Sequence, residues 1–428
     1  MSYTKVVIIG GGFGGLQVAK KLKKAPVEIF MVDKTNHHLF QPLLYQVASA
    51  ALSPADIAVP LREILRSQDH TSVIMGEVVD IDKEKHLITL GNGDTLNYDY
   101  LVLAVGARHS YFGNDQWEKD APGLKTIDDA LNIRERILVS FEKAERDDSV
   151  SEAGKYLNFI IIGAGPTGVE MAGAIAEIAQ HTMFKNFRRI KPEKSKIFLI
   201  DAADRVLPSY PKSLSARAQK DLEKLGVKVM TSTMVTDVTS EGVQIGDKFI
   251  EGKNVIWAAG NQASPLLRKL DVPLDRQGRV LVEEDLTIPD HPEIFVIGDA
   301  AALKDKKGNL LPGIAPVAIQ MGQYVSKVIR KERPKSKRRP FKYFDKGSLA
   351  TIGKLKAVGY SGKILFKGFI AWLAWGVLHI AYLIGFRNRF SVMLNWFFHY
   401  VTGIRGARLI NRSIDEELKK SKPTRLNR

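Results

Sequence analysis

The chain has 428 residues, 45 % of them hydrophobic, which is enough apolar material for roughly two or three domains. It contains no cysteine, so disulfides, thiolate metal sites and cysteine nucleophiles are excluded together. The net charge of +16 is unevenly spread: residues 330–428 carry 23 Lys and Arg against 5 Asp and Glu, whereas the first 329 residues carry 40 against 42, so a near-neutral body bears a basic tail suited to an anionic partner, nucleic acid or a phospholipid surface.

The start, MSYTKVVIIGGGFGG, passes from a short polar lead straight into a strand and a glycine turn. That is not a signal-peptide pattern, and the body is expected to fold in the cytosol. Residues 5–22, KVVIIGGGFGGLQVAKKL, read as a buried strand, a glycine turn and a helix. Short strand candidates follow at 27–33, 72–82 and 100–107. A second copy of the strand–turn–helix pattern, LNFIIIGAGPTGVEMAGAIAEI, occupies 157–178. Further strands are expected at 196–201, 228–238, 254–260 and 294–303, the last ending in Gly-Asp. Strands alternating with helices indicate an α/β protein, with a parallel sheet covered by helices on its faces. The run KERPKSKRRP (331–340) reads as an exposed connector rich in charge and proline.

Gly10, Gly12 and Gly15, with Gly11, Phe13 and Gly14 between them, fit G-x-G-x-x-G after a strand and before a helix. The first glycine permits the tight turn, the second lets backbone N–H groups approach a pyrophosphate, and the third lets helix and strand pack closely. The helix N-terminus adds partial positive charge for phosphates. Asp33 ends the next strand, where an acid is needed for ribose hydroxyls. Gly163, Gly165 and Gly168 repeat the pattern with Asp201 as the acid, delayed by an apparent insertion, HTMFKNFRRIKPEKS (181–195). A carboxylate accepts from a 2′-hydroxyl and repels a 2′-phosphate, so Asp201 favours NADH over NADPH; Arg205 nearby argues the other way. Two such turns on one chain point to two dinucleotides.

Residues 369–386 hold no Asp, Glu, Lys or Arg, and three of the five Trp lie between 372 and 396. Lys363 and Lys367 precede this run, and Arg387 and Arg389 follow it. A second run covers 390–404. A transmembrane helix, a buried core helix and a pair of interfacial helices all fit such a pattern. A single span would leave basic segments on both sides, against the positive-inside tendency. Interfacial attachment, with basic residues on lipid phosphates, is therefore expected. The Trp-bearing apolar runs argue against nucleic acid.

With these pieces in place, the sequence resembles the type II NADH dehydrogenases (NADH:quinone oxidoreductases) of the two-dinucleotide-binding-domain flavoproteins. The resemblance rests on residues 33–65, YDYLVLAVGA (98–107), IIGAGPTGVE (161–170), VIWAAG (255–260), IFVIGDAA (294–301), LPGIAPVAIQMG (311–322) and FIAWLAWGVLHIAYLIGFRNR (369–389). It implies two Rossmann-like dinucleotide-binding domains, the NAD domain inserted in the FAD domain, and a C-terminal helical membrane-anchoring segment. The expected boundaries are 1–112 and 271–345 for the FAD domain, 113–270 for the NAD domain and 346–428 for membrane attachment. FAD is placed on Gly10 to Gly15, Asp33, Lys34, Val78, Gly106, Asp299 and Ala318. NADH is placed on Gly163, Gly165, Gly168, Glu170, Asp201, Ala259 and Gly260.

The resemblance further implies hydride transfer from nicotinamide C4 to flavin N5 and delivery of two electrons to a quinone, without proton pumping. Glu170, Gln320 and Lys367 are its catalytic candidates, and Ala315, Pro316, Ile319 and Ile370 its quinone-binding ones. Glu170 in the first helical turn would also suit the helix dipole, Gln320 would serve as a helix cap, Lys367 as a snorkelling lysine, and Asp299 as an N-cap. Pro316 replaces the first glutamine of the family's A-Q-x-A-x-Q pattern, which keeps a related reductase with another acceptor, a specialised naphthoquinone or a ferredoxin, as an alternative. Thiol-dependent relatives are excluded by composition. A homodimer on the cytoplasmic face of a membrane is expected, with no metal.

Overall fold

The computed structural model describes residues 3–403 and 405–410. Ile404 and the basic residues after 410, which belong to the expected attachment segment, lie outside the described residues. The chain divides into two compact units: Met1–Leu39, Ala58–Arg108 and Asn261–Lys346 form one, and Phe40–Ile57, His109–Gly260 and Gly347–Arg428 the other.

In the first unit the apolar run before the glycines becomes the strand Thr4–Ile9, the inner member of a six-stranded sheet. The strand order is Thr287–Ile288, His291–Val296, Tyr100–Leu103, Thr4–Ile9, Val27–Asp33 and Thr71–Met75. All neighbours run parallel except the first pair. A strand covered on both faces has no polar side to show, which is why Val6, Val7 and Ile8 are all fully buried. The helices Phe13–Leu22 and Ala315–Arg330 cross at two glycines: a methyl group on Gly322 would lie 2.6 Å from the Gly14 carbonyl oxygen.

The single strand expected over 72–82 divides at Gly76 into Thr71–Met75, in the large sheet, and Val78–Asp82, in a three-stranded antiparallel sheet with Leu87–Leu90 and Thr95–Asn97. The connector 331–340 also differs from expectation. Arg338 turns inward, donates to Asp285 at 3.0 Å and to the Pro292 carbonyl at 2.7 Å, and is almost wholly buried. A guanidinium that finds a carboxylate and carbonyls gains more there than in water.

The second unit holds a four-stranded parallel sheet in the order Val227–Met230, Lys196–Ile200, Asn158–Ile162, Asn254–Trp257. Its register pairs Ile161 with Leu199 and Ile256. The helix Pro166–Glu177 follows the second glycine turn, with Gly165 at its N-cap and Pro166 in its first turn. Proline belongs there, because the amide it lacks has no intrahelical partner anyway. The short helix Leu44–Ala48 belongs to this unit too, as does the antiparallel sheet Ser348–Thr351, Ala357–Ser361, Ile364–Lys367.

The charge-free run 369–386 is not one helix. It ends as helix at Tyr382, turns through Gly385 at φ 88°, and resumes as Phe386–Thr402. The first helix has 15 residues and the second 17. At 1.5 Å per residue these are about 22 and 26 Å long, against a hydrocarbon core of about 30 Å. Among the described residues no helix is long and apolar enough to cross a membrane.

Candidate functional site: two glycine corners and a buried glutamate

The first corner is built by close approach. Gly10 has φ +102°, and a methyl group there would strike the Ala104 carbonyl oxygen; one on Gly15 would strike the Gly10 carbonyl oxygen. Only glycine fits either position. Gly12 differs, since a methyl group on it would meet nothing within 4 Å, so the exposed backbone at that point is left open to a ligand. Gly14, with a methyl position 3.4 Å from the Ala318 carbonyl oxygen, and Gly298, with one 3.3 Å from the Ala318 Cβ, bring Ala318 against the same corner.

Asp33 is oriented by the corner itself. One carboxylate oxygen accepts from the Gly11 amide at 2.6 Å, and the other accepts from the amide and hydroxyl of Thr35 at 2.7 and 2.8 Å. His38, which the sequence reading did not single out, bonds the Gly11 carbonyl through Nδ1 at 2.9 Å, while its buried Nε2 has no partner among the described residues. Burial lowers its pKa and keeps the ring neutral, so Nε2 is an acceptor awaiting a donor. The residues present therefore fit a dinucleotide: open backbone amides at a helix start, a fixed acid and an unfilled acceptor. Val78 is buried, Lys34 is exposed, and Gly106 sits at φ +65° with open space around it. Asp299 lies in the tight turn Gly298–Ala300 and caps no helix, which removes the capping role; a methyl group on Gly313 would lie 3.1 Å from its Oδ1.

The second corner repeats the first, residue for residue. Gly163 has φ +106° against the Ala258 carbonyl, Gly168 leaves no room beside the Gly163 carbonyl, and Gly165 is open. Asp201 accepts from the Ala164 amide and, at 2.7 Å, from the Ala203 amide. Arg205, the residue that argued for NADPH, is already engaged: it donates to both Asp204 oxygens at 3.0 and 3.1 Å and to the Pro208 carbonyl at 2.8 Å. At Ala259-Gly260 the chain turns with Gly260 at φ +72°, where a methyl group would lie 2.6 Å from the Phe112 ring.

Glu170 falls in the second turn of its helix, and no acidic residue occupies the first. The dipole account expected from sequence therefore does not apply, because that field fades beyond the first turn. Glu170, Gly173 and Glu177 share one face, and the hairpin turn at 351–354 packs on it. The Thr351 amide donates to Glu170 Oε1 at 3.4 Å, a methyl group on Gly173 would lie 2.8 Å from the Gly353 nitrogen, and Glu177 accepts from the Lys354 amide. Among the described residues no cation acts on Glu170, and burial pushes its carboxyl up to about 8, the Thr351 bond opposing only in part. A glutamic acid so placed holds its proton near neutrality and can donate it.

Thr351 is itself held by Tyr45, whose hydroxyl lies 3.0 Å from Thr351 Oγ1. Neither residue was found from sequence. Tyr45 sits within the 33–65 stretch that carries the resemblance, but nothing in its spacing marks it apart from its neighbours.

The residues expected at the acceptor side lie in different parts of the chain. Ala315, Pro316, Ile319 and Gln320 are all in the helix Ala315–Arg330, with Pro316 in its first turn. Gln320 caps nothing. Its amide group donates to the Phe344 carbonyl and its carbonyl accepts from the Phe344 amide, both at 2.9 Å, so both ends are occupied by one backbone residue. Lys367 is exposed at the end of a strand and makes no ion pair among the described residues, and Ile370 is 69 % exposed at the start of the next helix.

Comparison with known proteins agrees with this geometry. Residues 4–322 match the pyridine nucleotide-disulphide oxidoreductase family, and residues 346–404 match the NDH2 C-terminal domain. The type II NADH:quinone oxidoreductase Ndh of Mycobacterium tuberculosis is 47 % identical over 94 % of this chain and 89 % of its own length. The type II NADH:quinone oxidoreductase NdhA of the same organism is 46 % identical over 94 % and 88 %. In fold, the chain resembles NDH2 from Plasmodium falciparum in complex with NADH, at TM-score 0.86, 22 % identity and coverage of 94 % and 99 %. The sulfide:quinone oxidoreductase of Aquifex aeolicus is similar at TM-score 0.72 and 18 % identity, covering 97 % of this chain and 94 % of its own. Taken with the two corners and the C-terminal match, these likenesses establish that the chain belongs to the type II NADH:quinone oxidoreductases within the pyridine nucleotide-disulphide oxidoreductase family.

Proposed function

We propose that the chain is an FAD-dependent NADH:quinone oxidoreductase that works on a membrane surface. The observation that carries this reading is the repeated corner: two glycine turns of the same construction, each with its acid held by the amide that follows the first glycine, on a cysteine-free chain. Two such corners serve two dinucleotides, and the absence of thiols sends the electrons to an external acceptor. Bound FAD would supply the two-electron carrier between the nicotinamide's hydride and the quinone.

The chain's own residues bind and orient. Gly10 to Gly15, Asp33, Lys34, Val78, Gly106, Asp299 and Ala318 hold FAD, Asp299 offering a carboxylate that no protein group uses among the described residues. Gly163, Gly165, Gly168, Asp201, Ala259 and Gly260 hold NADH, and the pairing of Arg205 with Asp204 favours the coenzyme without a 2′-phosphate. Glu170 supplies a proton to the reduced quinone. Gln320 shapes the acceptor side through Phe344, alongside Ala315, Pro316 and Ile319, while Lys367 and Ile370 stand at the quinone's entry.

Attachment is peripheral, through the helices 368–382 and 386–402. Phe386, Phe390, Phe397 and Val401 are exposed on the second helix, and Arg387 and Arg389 supply charge for lipid phosphates. The family resemblance alone supports a homodimer, the cytoplasmic face and the division at 112, 270 and 345.

An anaerobic absorbance experiment tests the enzymatic reading. NADH should bleach the FAD bands of the purified protein, and a short-chain quinone should restore them. A protein without FAD, or one bleached but never restored by any quinone, contradicts it.

A further inference from the structure

The acid Glu170 stands at the end of a chain of hydrogen bonds that begins on the second C-terminal helix. Trp396 Nε1 can only donate, and it donates to Gln46 Oε1 at 2.7 Å. That fixes which end of the Gln46 amide is which, so its Nε2 donates to the Tyr45 hydroxyl oxygen, 3.0 Å away. The Tyr45 hydroxyl in turn bonds Thr351 Oγ1 at 3.0 Å, where either oxygen can donate. The Thr351 backbone amide then meets Glu170. Tyr45, Gln46 and Trp396 are buried, so each link works away from water, where a hydrogen bond is stronger and a missing one more damaging.

We propose that Tyr45 is a positioning residue for Glu170: its hydroxyl holds Thr351 in place, the Thr351 amide holds the carboxyl, and Gln46 and Trp396 hold the tyrosine. This rests on Glu170 being the proton donor of the quinone step. Tyr45 does not touch the reacting atoms; it acts through Thr351. The groups that face Glu170 leave it little else to lean on. From the short helix 44–48 comes Tyr45, from the loop before Lys212 comes Tyr210, and behind Tyr210 lies Tyr360, edge to face at 5.5 Å. Burial raises both Tyr45 and Tyr210 well above the ordinary phenol range, so they stay neutral and cannot replace a lost hydrogen bond with charge. Among the described residues the Thr351 amide is the one group that favours the ionised carboxylate. Loosening Thr351 therefore moves the Glu170 titration upward.

The test uses the full chain in its flavin-loaded form, as Tyr45→Phe, Thr351→Val, Thr351→Ser and Glu170→Gln variants. Infrared difference spectra across pH follow the protonated carboxyl band of Glu170, identified by its loss in Glu170→Gln. Stopped-flow mixing of NADH-reduced protein with a short-chain ubiquinone follows reoxidation over the same pH range. Tyr45→Phe and Thr351→Val should each raise the carboxyl midpoint by about half a pH unit and slow reoxidation by about three- to tenfold. Thr351→Ser, which keeps the hydroxyl, should stay within about twofold of the parent. The double variant Tyr45→Phe/Thr351→Val should be no slower than the worse single one, because both cut the same link.

A Tyr45→Phe protein with the parent's carboxyl midpoint overturns the proposal. So does a Thr351→Ser protein as impaired as Thr351→Val, or a loss of melting temperature with no movement of the pH profile. If Tyr45→Phe does not fold, Thr351→Val carries the same test, since valine matches threonine in shape. A parent protein that no quinone reoxidises contradicts the oxidoreductase reading instead, and the infrared midpoint still decides the positioning role.

Discussion

Arg405 and Glu177 form a buried ion pair at 3.0 Å that ties the chain after the last helix to the C-terminal end of the Glu170 helix. Arg405 also donates to the Ser49 carbonyl at 2.6 Å, and Glu177 accepts from the Lys354 amide. Three segments distant in sequence, 45–49, 170–177 and 351–354, are thus gathered by one guanidinium–carboxylate contact. The Tyr45 and Thr351 links to Glu170 lie inside that arrangement.

Removing one partner leaves the other charged and buried. Arg405→Met is expected to destabilise the fold by about 3–5 kcal/mol, whereas Glu177→Met combined with Arg405→Met should recover most of the loss. Thermal unfolding of the three proteins at one pH checks this. Equal damage in the single and double variants would mean that packing, not the pair, is what matters there.

The raised carboxyl of Glu170 makes a signed prediction about stability. Its folded pKa, about 8, lies above its ordinary value of 4.5. Between those two values the unfolded chain ionises while the folded one keeps its proton, so wild-type stability falls as pH rises through that window and levels off above it. Glu170→Gln lacks this term. The variant should gain on the parent steadily from pH 5 to about 8 in denaturant unfolding. Its reoxidation by quinone should meanwhile slow by about tenfold or more, with the pH limb lost.

The open glycines allow cofactor binding to be removed without disturbing the fold. Gly12 and Gly165 have ordinary negative φ values, −68° and −70°, and free space beside them. Gly12→Val should give a folded protein that no longer retains FAD. Gly165→Val should keep FAD and weaken NADH binding by about tenfold or more, the equivalent of roughly 1.4 kcal/mol. The flavin-to-protein absorbance ratio and an NADH titration read the two effects separately. Loss of both cofactors in both variants would contradict the separate corners.

Attachment to lipid should depend on one face of the helix Phe386–Thr402. Phe390 and Phe397 are 57 % and 61 % exposed, while Asn388, Ser391 and Asn395 on the inner face bond the segment 55–56. Phe390→Ser with Phe397→Ser is expected to reduce the vesicle-bound fraction by about tenfold or more and to leave the flavin spectrum intact. Flotation with anionic vesicles measures it. Undiminished flotation would place attachment elsewhere in the chain.

The sequence by itself determined the two nucleotide corners. A buried parallel strand, a glycine turn and a terminal acid are local patterns that spacing along the chain is enough to read, although the close approaches that demand glycine at positions 10 and 163 come from the distant Ala104 and Ala258. The lack of cysteine was equally decisive, because composition needs no folding. The apolar character of the tail was legible, but its break at Leu383–Gly385 was not, since a hydrophobic run carries no mark of where its helix ends.

Only the tertiary structure decided what surrounds Glu170. Tyr45 and Thr351 are separated by 306 positions, and Arg405 lies 228 from Glu177. No periodicity links such residues; they meet because the short helix Leu44–Ala48, the strand Ser348–Thr351 with the turn after it, and Arg405 beyond the final helix gather on the helix Pro166–Glu177. The same packing buries Glu170 with no cation beside it among the described residues, and that burial keeps a common surface residue type protonated and useful as an acid.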